Sequence, residues 1–585
     1  MKVLTNHLGY STAGPKKAVL QGRPEDRPQG FVLLDAEQGE VLRGTLREHG
    51  TVARWNTGFY WTADFSELRA EGTYVLRADT AGGQVFSGEF EIRDKLITMR
   101  MINAVGYYFK AQRSSGEWLL CDRDLPFKGG YREGRVDAHG GWFDASGDYG
   151  IHLSHLSHSS FYNPQQASFS AYTFFKACEL LEKSGNQEYF LIKRRLLDEG
   201  TFGADFLMRL RAPSGNFFRS VNRLDSWGTV FNSRVIGFEY HHSSGQFGQA
   251  ASAGEERVGD AYYETSLRSG GGLAIAALAI AARHFYPGGD YGSSDYIMAA
   301  KRAWAHLEVH NEKYTNDGEW NLIDEYCALM ALTELYRSAD ELAYLHKART
   351  MAERIYGRMV YGPQGEARLT MAPGYPFHHA SDEGMPVAAL LQYAEIESDP
   401  ALRARAVKTC EDTMRFKLAL SDRLSNPFGY PKFEHRGEDG GFQVKFFFPH
   451  QTRAAPWWQG ENARLASLSA AARFLADFTG DPALKSRLIT LAQDCLDWIM
   501  GCNPFDSCMI EGYGRNNVQY FCNNRHEFLN CPGGIINGIT SGLDDEEGIE
   551  YISRPGGKVE DNWRWGEQWI PHASWYLYAM ALKGE

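Results

Sequence analysis

Over the first 95 residues the apolar positions come in short runs between turn-forming residues: "KKAVL", "GFVLL", "GFYWTADF", "GTYVLRA" and "QVFSGEFEI". In the last run Phe86, Gly88, Phe90 and Ile92 fall on one face, with Val85, Ser87, Glu89 and Glu91 on the other. That period of two is the mark of a half-buried strand. Several such strands at this spacing predict a small β-sandwich over residues 1–94. From about Lys95 the period changes to that of a helix. "DPALKSRLITLAQDCLDWIMG" puts Leu484, Leu488, Leu491, Cys495 and Trp498 on one stripe. Asp481 is placed to cap that helix, Pro482 to open it and Gly501 to stop it. "DPALRARAVKTCEDTMRF", from Asp399, repeats the opening. The same reasoning predicts helices near 95–113, 167–186, 189–210, 264–285, 293–308, 321–337, 341–359, 384–395, 399–417, 461–479, 483–500 and 571–583. Twelve helices fit six antiparallel pairs closing into a toroid over residues 95–585.

Between the helices lie four long segments, 114–166, 211–263, 418–460 and 502–570, rich in aromatics, glycine and charge, and function is expected there. At 585 residues the chain can bury a large core. Aromatics make up 13%, which suits sugar-stacking surfaces and large helical cores equally. The net charge of -12, without basic runs, argues against nucleic acid as a partner. The longest apolar run, Leu273 to Ala282, is about half of the ~20 residues of a membrane span. "MKVLTNHLGYSTAGPKKAVL" has no charged-then-apolar leader, so a cytoplasmic protein is expected. Nine cysteines, none in a CxxC pair, predict neither a disulfide scaffold nor a thiolate metal site. Oligomeric state is not legible.

Two stretches carry candidate chemistry. "HGGWFDASGDYGIHLSHLS", His139 to Ser157, sets Asp144 and Asp148 in a glycine-rich loop flanked by Trp142, Phe143 and Tyr149. "VEDNWRWGEQWIPHASWYLYAM", Val559 to Met580, sets Glu567 among Trp563, Trp565 and Trp569, just ahead of Pro571. Burial beside tryptophans raises a glutamate pKa, as a general acid requires. Together the two stretches supply the base and acid carboxyls of glycoside hydrolysis. About 420 residues separate them, and only folding can join them. Trp457 and Trp458, in "PWWQGENARLA", are candidate stacking platforms, and Glu461 a helix-start acid.

These stretches resemble glycoside hydrolase family 9 with an N-terminal immunoglobulin-like domain. "NHLGY" and "KKAVL" are similar to the opening of that accessory domain, and "GGWFDASGDYG" to the family's Gly-Gly-Trp-x-Asp-Ala-Gly-Asp motif. "WGEQWIPHASWYLYAM" stands where the family has Asn-Glu-Val-Ala. "MGCNPFDSCMIEGYGRN", Met500 to Asn516, resembles its Gly-x-Asn-Pro and Gly-Tyr-Gly-x-Asn elements. The resemblance implies a mostly α chain, an (α/α)6 toroid behind an immunoglobulin-like β-sandwich, and inversion of the anomeric centre. It implies Asp148 as the base that activates water, Asp144 as a second holder of that water, and Glu567 as the acid. Substrate contacts are expected from Trp142, Tyr149, Trp457, Trp458, Tyr513, Arg525 and Trp565.

The sequence departs from the family in places that bear on substrate. Three residues, Ala145, Ser146 and Gly147, separate the aspartates where the family has two. Asn523, Asn524 and Arg525 replace His-His-Arg, and Gly566 to Trp569 replace Asn-Glu-Val-Ala. The zinc site common in relatives with this accessory domain would have only Cys121 and His139, so no metal and no cofactor is expected. Calcium is common in the family, but no oxygen-rich loop for it is visible. The variant pattern resembles the exo-β-D-glucosaminidase branch of bacterial chitin degradation. The first reading is therefore an inverting exo-β-1,4-glycosidase on short glucosamine-containing oligosaccharides. A carboxylate for the amine is sought among Asp137, Glu438, Asp439 and Asp544 to Glu547. The alternatives are a β-1,4-glucanase or cellodextrinase and, in another class, a non-catalytic carbohydrate-binding protein. The histidine pairs His241–His242 and His378–His379 are poorly placed to share one metal.

Overall fold

The computed structural model describes residues 1–94, 96–155, 163–185, 189–223, 233–237, 263–315, 317–362, 366–437, 439–449, 458–526 and 530–583. Trp457, Glu438 and His241–His242 lie outside the described residues.

Nine strands build the N-terminal part: β1 (Lys2–Leu4), β2 (Lys17–Gly22), β3 (Phe31–Leu34), β4 (Glu40–Gly44), β5 (Leu46–Thr51), β6 (Phe59–Asp64), β7 (Gly72–Thr80), β8 (Gly83–Phe86) and β9 (Phe90–Ile92). They form two antiparallel sheets, one ordered β1-β2-β6-β5 and the other β4-β3-β7-β8 with β9 also on β7. Val3, Leu20, Leu33, Trp61, Leu76 and Phe90 fill the space between the sheets.

One expectation fails here. "QVFSGEFEI" is two strands rather than one. β8 pairs Arg77 with Phe86, whereas β9 pairs Gly72 with Ile92, a one-residue change of register along β7. Because side chains alternate, that slip turns Phe86 out to 51% exposure while Phe90 and Ile92 stay in the core.

Twelve long helices follow among the described residues: α1 (Leu96–Gln112), α2 (Ala167–Lys183), α3 (Phe190–Arg209), α4 (Gly272–Ala281), α5 (Ser293–His310), α6 (Leu322–Ala339), α7 (Leu342–Gly357), α8 (Met385–Ile396), α9 (Pro400–Asp422), α10 (Asn462–Ala476), α11 (Pro482–Ile499) and α12 (Ile570–Lys583). The even-numbered helices pack in a closed ring, α2 on α4, α4 on α6, and so on until α12 meets α2 again. The odd-numbered helices surround them, each against a neighbouring inner helix. This is the (α/α)6 arrangement, and hydrophobic patterning sorts the two rings. Every residue of α4, "GLAIAALAIA", is buried, as an element apolar on all sides must be. α5 buries only the stripe Tyr296, Ala299, Ala300, Ala303, Trp304 and Leu307. Asp481 caps α11 by accepting from the Ala483 and Leu484 amides, and Asp399 caps α9 in the same way.

The inner helices begin on one rim and are cross-linked there. Gln165, just ahead of α2, donates through its side-chain amide to the Arg268 carbonyl near α4, and its backbone N–H donates to Asp382 near α8. The Ala463 amide at the start of α10 donates to His572 Nδ1 on α12. The sandwich is docked on α11 and the loop beyond it. Asn6 donates to Asp497 (2.8 Å), Lys17 pairs with Asp494 (2.8 Å), and Trp55 lies among Phe428, Phe447 and Trp498.

Candidate active site

The aspartate loop returns to the end of α1 and pairs with it in an isolated antiparallel bridge, with Phe143 N–H bonded to the Gln112 carbonyl and Ser114 N–H to that of Gly141. It then doubles back. Asp144 N–H donates to the Gly150 carbonyl, and Asp148 N–H to that of Ala145. Gly147 has φ +75°, a left-handed conformation that glycine adopts without strain. The turn leaves the two carboxylates in different surroundings. Asp144 is enclosed, its Oδ2 at 3.5 Å from the Gln166 amide and 3.8 Å from His152 Nε2. Asp148 has a side chain 46% exposed; its Oδ1 accepts from Arg223 (3.2 Å) and from the Gly150 amide (3.2 Å).

Glu567 follows a single helical turn, Trp563–Gly566, and precedes α12. Its carbonyl accepts from Asn537 N–H (2.8 Å), and the Asn537 side-chain amide reaches Glu567 Oε2 at 3.4 Å. That amide is oriented from behind. His572 Nδ1 accepts from the Ala463 amide, so in the neutral ring Nε2 carries the proton and donates to Asn537 Oδ1 at 2.8 Å. Burial holds His572 neutral, its pKa pushed down to about 3.

Folding brings the two stretches into direct contact. Ser146 N–H donates to the Gln568 carbonyl (2.9 Å), Gln568 N–H donates to Ser146 Oγ (2.9 Å), and Ile570 N–H donates to the Asp144 carbonyl (2.9 Å). The electrostatics follow from this closeness. Burial first, and the Asp148 charge second, raise the Glu567 pKa well above the ordinary glutamate value, while the Asn537 amide opposes them. Burial likewise raises Asp144 strongly, with Asp148 and Glu567 adding to it. A buried carboxyl with a raised pKa close to an aspartate pair suits a general acid and base on either side of a scissile bond.

The comparisons with known proteins agree with this geometry. Residues 1–83 match the cellulase N-terminal ig-like domain, and residues 100–533 match glycosyl hydrolase family 9. The chain belongs to glycosyl hydrolase family 9. Over 156 residues, 26% of this chain, it is 33% identical to a cellodextrinase from Butyrivibrio fibrisolvens, and over 179 residues 28% identical to endoglucanase C from Cellulomonas fimi. The matched stretches span 27% and 16% of those relatives. A metagenome-derived family 9 endoglucanase has the same fold, with 20% identity, a TM-score of 0.66 and coverage of 99% of this chain and 98% of its own. A family 9 protein of Bacteroides ovatus follows with 18% identity, a TM-score of 0.65 and coverage of 100% and 98%.

Within this family 9 frame several expected substrate contacts prove to be structural. Trp142 is fully enclosed by Phe109, Phe174 and Phe202, and its indole N–H donates to Glu199. Trp565 is 1% exposed, bonded through its indole to the Glu550 carbonyl, and Trp458 packs edge-on against it with Arg564 over the ring. None of the three offers a free face to a sugar. Sequence could not separate core from cleft tryptophans because both sit in aromatic, glycine-rich loops.

Tyr149 does share the loop of Asp148 and stays partly exposed, stacked on Trp118 at 4.8 Å. Tyr513 lies under Arg100, in the loop that seats His7 of the sandwich; Asn517 pins that loop through the Cys508, Ile510 and Tyr513 carbonyls. Arg525 is exposed and closes a two-residue turn in which Asn523 and Asn524 both have positive φ, 51° and 58°. Asparagine tolerates that geometry, a conformational reason for the Asn-Asn found there.

The candidate amine carboxylates are tied up elsewhere. Asp137 bonds His139 (2.5 Å), Asp439 caps its own hairpin turn, and Asp544, Asp545 and Glu547 pair with Lys558, Arg54 and Lys445. Glu461 belongs to a buried network with Arg464 and Glu383. His378 stacks on Phe433, whereas His379 accepts the Ser381 and Asp382 amides. Among the described residues no group of three or more His, Cys, Asp or Glu side chains is arranged to hold a metal.

The sequence reading missed Asn537, His572, Gln166, Arg223 and Tyr520. Burial raises the Tyr520 pKa, and Tyr520 lies close enough to Glu567 and Asp148 for their charges to add to the rise. Arg223 ends a short strand, Ser220–Arg223, and the others lie in loops or at helix starts, with no local pattern that would single any of them out.

Proposed function

We propose that this chain is an inverting β-1,4-glycosidase acting on glucan oligosaccharides of the cellodextrin type. The observation that carries the reading is Glu567, its pKa raised by burial and by Asp148, on a segment whose Gln568 and Ile570 hydrogen-bond the loop of Asp144 and Asp148. Glu567 gives its proton to the glycosidic oxygen as the bond to C1 breaks. A water on the opposite face attacks C1 and loses its proton to Asp148, the exposed aspartate, which Arg223 and the Gly150 amide hold in place. Asp144, enclosed and with its pKa raised by burial, orients that water. The sugar leaves inverted, and proton exchange with solvent resets both carboxyls. The cellodextrinase and endoglucanase relatives support a glucan substrate.

A second reading, exo-hydrolysis of glucosamine oligosaccharides, draws on Asp561. This carboxylate acts electrostatically on Glu567 and lines a cavity of about 270 Å³ with Trp563 and Arg564. It would suit a substrate ammonium.

Proton NMR of the protein with cellotriose and the β-1,4 glucosamine dimer tests both. Loss of cellotriose with α-anomer appearing first supports the glucan reading. Loss of the glucosamine dimer alone transfers the site to the second. No change in either favours a binding protein, whereas full turnover by Glu567→Gln removes Glu567 as the acid.

A further inference from the structure

Ser146 is the residue by which this chain's aspartate spacer exceeds the Asp-Ala-Gly-Asp pattern, and its surroundings give that residue a task. It is 6% exposed and bonds the acid's segment directly at Gln568, the residue after Glu567. Its N–H donates to the Gln568 carbonyl, and its Oγ accepts the Gln568 N–H, each at 2.9 Å. The hydroxyl proton goes to Asn530 Oδ1 (3.2 Å), and the Asn530 amide donates to the carbonyl of Gly566 (2.9 Å). The residue after the acid is held directly and the residue before it through Asn530. Gln568 is fully buried, so its N–H has no solvent to turn to if the hydroxyl is removed. Only a hydroxyl that accepts and donates at once satisfies both partners.

We infer that Ser146 is a positioning residue that sets the place of the Glu567 carboxyl relative to the aspartate pair. The inference rests on the hydrolase reading and adds to it the device that fixes the acid. It makes no contact with substrate. A displacement of the acid by a fraction of an ångström slows proton delivery to the leaving oxygen and leaves sugar binding nearly intact.

The test uses two substrates in the full-length protein: an unactivated oligosaccharide that the wild type cleaves, and a β-glycoside of the same sugar with 2,4-dinitrophenolate as leaving group. Dinitrophenolate departs without a proton. Ser146→Ala is expected to lose about ten- to hundredfold in kcat on the oligosaccharide, with KM within about twofold, and less than about threefold on the dinitrophenyl glycoside. Ser146→Thr, which keeps the hydroxyl, restores most of the loss. Asn530→Ala, which cuts only the second arm, shows the same leaving-group signature at smaller size, and it serves if the Ser146→Ala chain does not fold.

Equal losses on both substrates, or no loss on either, overturn the inference. Glu567→Gln run beside them separates the failures. A leaving-group dependence in Glu567→Gln but not in the Ser146 and Asn530 variants sinks the positioning role alone. Full oligosaccharide turnover by Glu567→Gln removes Glu567 as the acid, and the positioning role falls with it.

Discussion

The substitution Asp497→Asn turns the docking of the sandwich into a measurable pH dependence. Asp497 is 2% exposed on α11, and its Oδ1 accepts from Asn6 of the sandwich (2.8 Å) and from Gln493 (2.7 Å). Burial is the main cause that pushes its pKa up to about 7, helped by the nearby Asp494 charge and opposed by the Gln493 and Asn6 bonds and by Lys17. In the unfolded chain the group titrates near 3.8. Between those values the folded protein binds the proton and the unfolded chain does not, so stability falls as pH rises from about 4 to about 7. Three pH units at about 1.36 kcal/mol each put the loss on the order of 4 kcal/mol at pH 8. Asparagine keeps the accepting Oδ1 and never ionises. The variant is therefore expected to match the wild type near pH 4, lose the downward slope, and be the more stable protein at pH 8. Calorimetric melting or urea midpoints taken from pH 4.5 to 8 read this directly. Parallel pH dependences in the two proteins, or a variant less stable at pH 8, would refute the reasoning.

Three further outcomes are expected. Arg464→Met removes a fully buried guanidinium that serves Glu461, Glu383 and the Pro431 and Phe446 carbonyls. Breaking such a pair from one side costs about 3–5 kcal/mol, read as a lowered melting temperature, and adding Glu383→Gln to the same chain recovers part of it in a double-mutant cycle. Among the described residues, Arg223→Met leaves the Gly150 amide as the remaining partner of the bonded Asp148 oxygen, and kcat should fall about tenfold with KM little changed, measured by steady-state kinetics. Trp142→Ala opens a cavity in the core and takes one donor from Glu199, which keeps Arg113, so it should cost about 3–5 kcal/mol in stability, seen in thermal melts, rather than act as a selective loss of sugar affinity.

Much of the fold was legible because it depends on short-range pattern. The period of α11, its Asp481 cap and Pro482 opening, and the all-apolar "LAIAALAIAA" of α4 each state an element and how deeply it is buried. Where local pattern misled, a long-range partner was the reason. Phe86 points outward because β7 pairs β8 and β9 in different registers, a property of β7 as much as of Phe86. Trp142, Trp458 and Trp565 read like sugar platforms, yet helices and loops distant in the chain cover their faces.

By itself the sequence determined the strand and helix periods, the two-part organisation, and which three carboxyls could carry acid and base chemistry, because those follow from residue type and spacing. Only the tertiary structure decided that Ser146 would meet Gln568 and Gly566, that Asn537 and His572 would stand behind Glu567, and that Asp144 would be enclosed while Asp148 stayed exposed. A pKa and a hydrogen bond depend on what lies within a few ångströms. In a closed ring of helices those neighbours come from about 420 residues away.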